Sequence, residues 1–185
     1  MEKIDYEIDE FLDYCSAKNL SRKTIASYEQ TLRLISLYLT SQYKITSAEQ
    51  TKEKHIIEYI KYLKERGKYT ITSNINSKII NFPENREDYG RKISDVTINN
   101  YIRNIKVFFN YLYENRYIVN NPVNRIKFIK CARKVVGYID DINFNKLLKS
   151  FDISKFHEYR DYIVAQLIFD TGMRIGETLL IKETD

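Results

Sequence analysis

Apolar residues recur at spacings of three and four along most of the chain, which is the period of an α-helix with one buried face. The first such stretch spans residues 4–18. A second begins at Ser21, a favourable N-cap, and runs to about Tyr43. A third begins near Thr51 and ends at Gly67. Their predicted buried faces are Ile4, Ile8, Phe11, Leu12 and Cys15, then Ile25, Tyr28, Leu32, Ile35 and Leu39, then Ile56, Ile57, Ile60 and Leu63.

A fourth helical stretch begins at Ser94 and ends before Asn121-Pro122, because the residue preceding a proline is disfavoured in the helical conformation. Its predicted buried face includes Ile98, Tyr101, Ile105, Phe108 and Leu112. Residues 67–93 interrupt the pattern with glycine, proline and several Asn or Asp residues. We expect a hairpin or a mobile loop there, since so long a connection is uncommon in a compact domain. Beyond the succession of helices, the pattern shows no internal repeat.

The pattern predicts a mainly α chain with two domains. Residues 1–124 form the first domain, a bundle of four or five helices. Residues 125–137 are basic, lack periodicity and end on a glycine, which is typical of an interdomain linker. Residues 138–185 are expected to be the first part of a second domain, with a short helix capped by Asp140 and a more apolar helix over about 157–170.

The distribution of charge is more informative than the net charge of +5. Residues 1–90 carry equal numbers of basic and acidic side chains, and residues 135–185 are acidic overall. Residues 91–134 carry ten basic and two acidic side chains. Such segregation favours an acidic polymer as partner, most simply nucleic acid. A basic surface that only aids solubility is the alternative.

Composition excludes several other classes of protein. The N-terminus is acidic and has no apolar signal region, and no run approaches the roughly 20 apolar residues of a membrane span. We therefore expect a soluble, cytoplasmic protein. The two cysteines, Cys15 and Cys131, and the two histidines, His55 and His157, fit no metal-ligand spacing. No metal and no other cofactor is expected.

The end of the chain resembles a known family. Residues 171–185, "TGMRIGETLLIKETD", contain a Thr-Gly-x-Arg-x-x-Glu pattern followed by apolar residues and an aspartate. This pattern is similar to the first conserved box of the tyrosine recombinases, the phage-integrase family. Three upstream segments also resemble that family in order and spacing: "NLSRKTIASYEQTLRLISLYL", "SDVTINNYIRNIKVFFNYLYENRYIVNNPV" and "VVGYIDDINFNKLL". The matching positions of the box are Thr171, Gly172, Arg174, Glu177, Leu180 and Asp185.

The resemblance implies a fold and a reaction. The fold is a SAM-like core-binding bundle, followed by the opening helices of a truncated α+β catalytic domain. In the reaction a tyrosine hydroxyl attacks a DNA phosphodiester and forms a 3′-phosphotyrosine, so that DNA is cut and rejoined site-specifically. Arg174 is then a catalytic arginine that stabilises charge on the phosphoryl group, and Glu177 supports it. An ordinary surface arginine with an ion pair between Arg174 and Glu177 is the alternative.

The family's other catalytic groups follow this first box: a lysine, a His-x-x-Arg pair, a further His or Trp, and the tyrosine nucleophile. Residues 1–185 do not contain them in that order. We therefore expect the full-length parent to be an enzyme, and this chain alone to bind DNA without cleaving it.

The resemblance also implies partners and contact residues. The partners are double-stranded DNA and, for the full-length parent, other recombinase protomers in a synaptic complex; neither a membrane nor a small-molecule substrate is expected. Candidate DNA contacts lie at the starts of the second and fourth helices and along the linker. They are Arg22, Lys23 and Thr24, then Thr97, Asn99, Asn100, Arg103 and Lys106, then Lys127, Lys130, Arg133 and Lys134.

Two other functions remain open from the sequence. One is a non-enzymatic DNA-binding regulator or excision accessory factor, which would use the same basic window. The other is a helical protein-interaction module, which would show no salt-dependent binding to DNA.

Overall fold

The computed structural model describes residues 2–72, 78–79, 82–132, 137–182 and 184. They fall into two compact units, Met1–Ala132 and Arg133–Asp185. The first contains helices α1 (Lys3–Ala17), α2 (Arg22–Tyr43), α3 (Glu53–Glu65) and α4 (Asp95–Glu114), with short 3-10 turns at Ala48–Gln50 and Pro83–Asn85. The second contains α5 (Asp141–Leu148), α6 (Phe156–Thr171) and α7 (Ile175–Thr178). The predicted mainly α fold is confirmed.

The apolar faces of α1 to α4 share one core. Phe11 of α1 contacts both α2 and α4 in this core. The centroid of its ring lies 5.5 Å from that of Tyr28 on α2 and 5.5 Å from that of Phe108 on α4. Burying each large apolar side chain contributes about 1.5–3 kcal/mol, so this core is the main source of stability. The helical spacing of the sequence predicts most of its members: Ile4, Ile8, Phe11, Cys15, Leu32, Ile35, Leu39, Ile56, Leu63, Ile98, Ile105, Phe108 and Leu112.

The first unit also contains a local equivalence between α2 and α4, in addition to the succession of helices noted from the sequence. Six residues of α2 or its N-cap recur in α4 with the same identity and spacing. In both helices the N-cap serine accepts a hydrogen bond from the N–H of the following threonine, at 3.2 and 3.3 Å. The matched residues are Ser21, Thr24, Ile25, Tyr28, Tyr38 and Leu39, and Ser94, Thr97, Ile98, Tyr101, Tyr111 and Leu112.

The helices that pack on these two are equivalent as well. Tyr111 of α4 lies against two rings of α1, with centroid distances of 5.2 and 4.6 Å. Tyr38 of α2 lies against two rings of α3, at 5.0 and 4.8 Å. From these equivalent contacts we infer that the pairs α1–α2 and α3–α4 are two similar helical hairpins, related by an approximate local two-fold axis. The contacted rings are Phe11 and Tyr14 on α1, and Tyr59 and Tyr62 on α3.

The insertion between α3 and α4 is closed at its base. Gly67 and Lys92 form an antiparallel bridge, and the N–H of Lys68 donates to the carbonyl oxygen of Arg91 at 2.8 Å. A Cβ on Gly67 would lie 2.5 Å from the carbonyl oxygen of Gly90, so this close approach requires glycine. The prediction of a hairpin or mobile loop falls partly on 73–77 and 80–81, which lie outside the described residues.

His55 is a buried titratable group on α3. Its Nδ1 accepts a hydrogen bond from the N–H of Lys52 at 3.1 Å, and its ring lies 4.7 Å from that of Tyr43. Burial, assisted by the nearby charge of Lys54, lowers the pKa of His55 below the ordinary value of 6.5. The unfolded chain therefore binds this proton at a higher pH than the folded chain does, and stability falls as the pH drops through about 6.5.

We expect the free energy of unfolding, measured with urea, to decrease from about pH 7.5 to about pH 5.5. The variant His55→Gln should reduce this dependence because it removes the buried titrating group. His157→Gln, which removes an exposed histidine, is the matched control. Loss of the pH dependence in the control instead of in His55→Gln would contradict the expectation.

The second unit has a smaller apolar contact surface. Phe144 of α5 is buried and stacks on Phe169 of α6, with ring centroids 3.7 Å apart. None of the helices in the described residues of either unit is long and apolar enough to cross a membrane.

Candidate nucleic-acid interface

The start of α2 presents two cations. Ser21 Oγ accepts from the N–H of Thr24, and the two hydroxyl oxygens lie 2.9 Å apart, which fixes the first turn. Arg22 and Lys23 are exposed beside the unpaired N–H groups of that turn. Both the helix dipole and the side-chain charges favour an anion such as phosphate here.

The start of α4 has the same cap but a different charge. Ser94 and Thr97 repeat the hydroxyl contact at 2.9 Å, whereas Asp95 stands in the first turn and is acidic. One turn further, Asn100 and Arg103 are exposed, and Nη1 of Arg103 donates to Oδ1 of Asn100 at 3.1 Å. An amide next to a guanidinium is suited to hydrogen bonding with base edges more than to simple charge neutralisation.

Two predicted contact residues have polar atoms engaged inside the protein. Nδ2 of Asn99 donates to the carbonyl oxygen of Ile129 at 2.9 Å, and Oδ1 of Asn99 accepts from the N–H of Ile129 at 2.8 Å. Nζ of Lys106 donates to the carbonyl oxygens of Val123 and Ile126, at 3.0 and 2.8 Å. These side chains attach the segment that follows α4 to the bundle.

The attached segment carries further cations. Ile126 is buried in the core, whereas Lys127 and Lys130 are exposed. The first part of the predicted linker thus packs on the first unit, and its lysines lie on a fixed backbone. Arg133 and Lys134, the remaining predicted linker contacts, lie outside the described residues.

Contacts between α2 and α4 limit the distance between their starts. Nδ2 of Asn104 donates to the carbonyl oxygen of Ser27 at 3.1 Å where the helices cross. At about 1.5 Å per residue, Ser21 lies about 9 Å along α2 from this point and Ser94 about 15 Å along α4. The two starts are therefore at most about 30 Å apart, which is less than one turn of B-DNA.

A basic groove that the sequence analysis missed lies between α3 and the segment after α4. It has a volume of about 390 Å³, and its lining includes the apolar residues Ile57, Ile60 and Ile126 and one acidic residue, Glu53. The missed side chains come from positions far apart in sequence, and only the packing of the two segments brings them together. They are Lys61, Lys64 and Arg125, which join Lys127 around the groove.

In the second unit, Arg174 lies at the predicted break between two helices. Gly172 adopts φ +68° and ends α6, a left-handed conformation that glycine adopts without strain. Nη1 of Arg174 donates to Oε1 of Glu177 at 3.0 Å, and the N–H of Arg174 donates to Oε2 at 3.0 Å. Glu177 therefore accepts hydrogen bonds from both the backbone and the guanidinium group of Arg174, while the Arg174 side chain is 87% exposed.

Comparisons with known proteins agree with this architecture. Residues 8–80 match the family model described as phage integrase, N-terminal SAM-like domain. The chain is 26% identical over 183 residues to a tyrosine recombinase of Thermosipho africanus, covering 98% of the chain and 55% of that protein. It is 24% identical over 179 residues to tyrosine recombinase XerD of Listeria innocua, covering 96% and 52%. No solved structure matches the chain significantly.

A third relative, tyrosine recombinase XerC of Syntrophus aciditrophicus, is 24% identical over 187 residues, covering 100% of the chain and 53% of that protein. The chain thus spans about half the length of the curated relatives it matches. The helical bundle of the first unit is consistent with the SAM-like domain of the phage-integrase type that residues 8–80 match. Over nearly its whole length the chain is similar to proteins of the tyrosine recombinase family.

Proposed function

We propose that residues 1–185 are the DNA-binding portion of a site-specific tyrosine recombinase or integrase. The full-length parent would cut and rejoin DNA through a 3′-phosphotyrosine intermediate, and its partners would be duplex DNA and other recombinase protomers in the cytoplasm. The observation that carries the proposal is the similarity to tyrosine recombinases over nearly the whole chain. The exposed cations of the first unit support it.

The candidate contacts divide into two kinds. Arg22 and Lys23, at a helix start with free N–H groups, are suited to phosphates and would supply affinity that is independent of base sequence. The hydrogen-bonded pair of Asn100 and Arg103 is suited to base edges and would supply specificity. Thr24 and Thr97 shape the two helix starts through their contacts with the N-cap serines.

Asn99 and Lys106 act on the connector in this proposal. Their hydrogen bonds hold residues 123–129 against the bundle, so that Lys127 and Lys130 follow the DNA backbone from a fixed position. We propose the division into domains that the sequence predicts. Residues 1–124 are the first domain, residues 125–137 the basic connector and residues 138–185 the second domain. Arg133 and Lys134 would extend the row of cations along that connector.

Arg174 would act on the phosphoryl group that is transferred. A planar guanidinium can donate two parallel hydrogen bonds to phosphoryl oxygens, and Glu177 holds this one at the start of α7. In the family the His-x-x-Arg box and the nucleophilic tyrosine come after the box that holds this arginine, and residues 175–185 contain neither. The polypeptide of residues 1–185 would therefore bind DNA without forming a covalent bond to it.

The proposal is tested by incubating purified residues 1–185 with end-labelled duplex DNA. We expect a retarded complex in a native gel and only free DNA after denaturation, since the reaction needs a nucleophile that these residues do not supply. A matched control uses the same duplex with the variant Arg174→Ala, which should bind only slightly more weakly because it removes just one of the proposed phosphate contacts. Absence of any complex would contradict the binding function. A denaturation-resistant adduct would contradict the expected inactivity.

A further inference from the structure

A buried polar cluster lies where α2 crosses α4. Nδ2 of Asn104 donates to Oγ1 of Thr31 at 2.9 Å and is 3.1 Å from both the carbonyl oxygen and Oγ of Ser27. Thr31 also donates to the carbonyl oxygen of Ser27, at 2.9 Å. Thr31 and Asn104 are only 5% and 7% exposed. Directional hydrogen bonds in a buried site restrict the rotation and the sliding of the two helices, which apolar contacts alone do not.

The two central residues of the cluster occupy equivalent positions in the two hairpins. Thr31 occupies the same position in α2, relative to the matched residues, that Asn104 occupies in α4. A contact between two equivalent positions lies on or near the axis that relates the two hairpins. The contact is thus a single joint that sets the orientation of one half of the bundle against the other.

The two helices held by this joint carry different candidate DNA contacts. Arg22 and Lys23 precede the joint on α2, and Asn100 and Arg103 lie one turn or less before it on α4. We infer that Thr31 and Asn104 form a positioning pair, which holds the two helix starts in the orientation needed to read one stretch of duplex. This inference rests on the proposed DNA-binding function.

The double variant Thr31→Val with Asn104→Leu separates positioning from stability. Replacing both buried partners by apolar groups of similar size leaves no unsatisfied donor, so the fold should be retained. The probes are a duplex of about 30 base pairs selected from a random pool by the wild-type protein, and a shuffled duplex of equal composition. We expect affinity for the selected duplex to fall about tenfold and affinity for the shuffled duplex to change less than about threefold. Equal losses on both duplexes, or none, would overturn the inference.

Exchange of the two side chains gives a conservative rescue. In the variant Thr31→Asn with Asn104→Thr, the local two-fold places an amide on α2 opposite a hydroxyl on α4. That amide can also donate to the carbonyl oxygen of Asn100, which takes the place of Ser27. We expect the exchanged pair to bind the selected duplex within about threefold of the wild-type protein. An exchanged pair as defective as the apolar double variant would contradict a positioning pair on a two-fold axis.

A readout without DNA distinguishes failure of this inference from failure of the proposed function. Spin labels at Leu37→Cys on α2 and Val107→Cys on α4, both exposed positions, report the distance between the helices. A Cys131→Ser background removes the exposed native thiol, and Cys15 is buried. We expect the distance distribution to shift or broaden in the apolar double variant and to return in the exchanged pair. An unchanged distribution would overturn the inference, whereas wild-type protein that binds neither duplex would instead refute the proposed function.

Discussion

Replacing Arg22 and Lys23 together by glutamate is expected to lower the affinity for duplex DNA about 100-fold at moderate salt. Both side chains are exposed beside the free N–H groups of the first turn of α2. The two carboxylates would remove two phosphate contacts and repel the DNA at the same place. The measurement is a fluorescence-anisotropy titration of a labelled duplex at fixed ionic strength.

The matched control for this pair is Lys52→Glu with Lys54→Glu at the start of α3. It makes the same change in net charge at another exposed helix start of the same unit. We expect it to weaken binding less than about tenfold, because it alters only the overall field of the protein. Equal losses in the two double variants would show that net charge, and not the start of α2, governs binding.

Truncating Phe108 to alanine is expected to destabilise the first unit by about 3–5 kcal/mol. Phe108 is 1% exposed and contacts Phe11 and Phe109, with ring centroids 5.5 and 5.2 Å away. A loss of this size is a large fraction of the total stability of a small domain, about 5–15 kcal/mol. Urea unfolding followed by circular dichroism measures the change.

Tyr113→Ala is the control for Phe108, since it removes an aromatic ring from the same helix at a position that is 50% exposed. We expect it to cost less than about 1 kcal/mol. A comparable loss in both variants would contradict a core centred on the contact between α1 and α4.

The positions of the helices follow from the sequence because their signals are local. Serine caps and apolar stripes depend on residues three or four apart, so Ser21 and Ser94 mark the starts of α2 and α4. The break at Thr171-Gly172 is similarly local, and the structure ends α6 there. The left-handed φ of Gly172 is the physical reason.

The candidate interface is less predictable because its geometry depends on distant segments. Asn99 and Lys106 look like free surface groups in the sequence, and only the return of residues 123–129 against α4 gives them carbonyl partners. The groove lined by Lys61 and Arg125 likewise requires two segments to pack side by side. No periodicity within one helix encodes such contacts.

The equivalence of the two hairpins can be detected in the sequence, but only when α2 is compared directly with α4, which lies 73 residues further along the chain. The insertion makes the connection in the second hairpin much longer than the one in the first, so the two hairpins do not repeat at one fixed spacing. An alignment of α2 with α4 alone shows the shared Ser-x-x-Thr-Ile-x-x-Tyr pattern at Ser21 and Ser94. The two helix starts differ in charge at the positions that do not match: Arg22 follows the N-cap of α2, whereas Asp95 follows that of α4.

The measurement that tests the central claim most directly is the salt dependence of duplex binding by residues 1–185. With about 5–8 phosphate contacts, the logarithm of the association constant should fall against the logarithm of salt concentration with a slope of about −5 to −7. The titration needs no knowledge of the target sequence, since phosphate contacts are made on any duplex. A steep slope is the result we predict. A flat response, or no binding at low salt, would contradict the account of this chain as the DNA-binding portion of a recombinase.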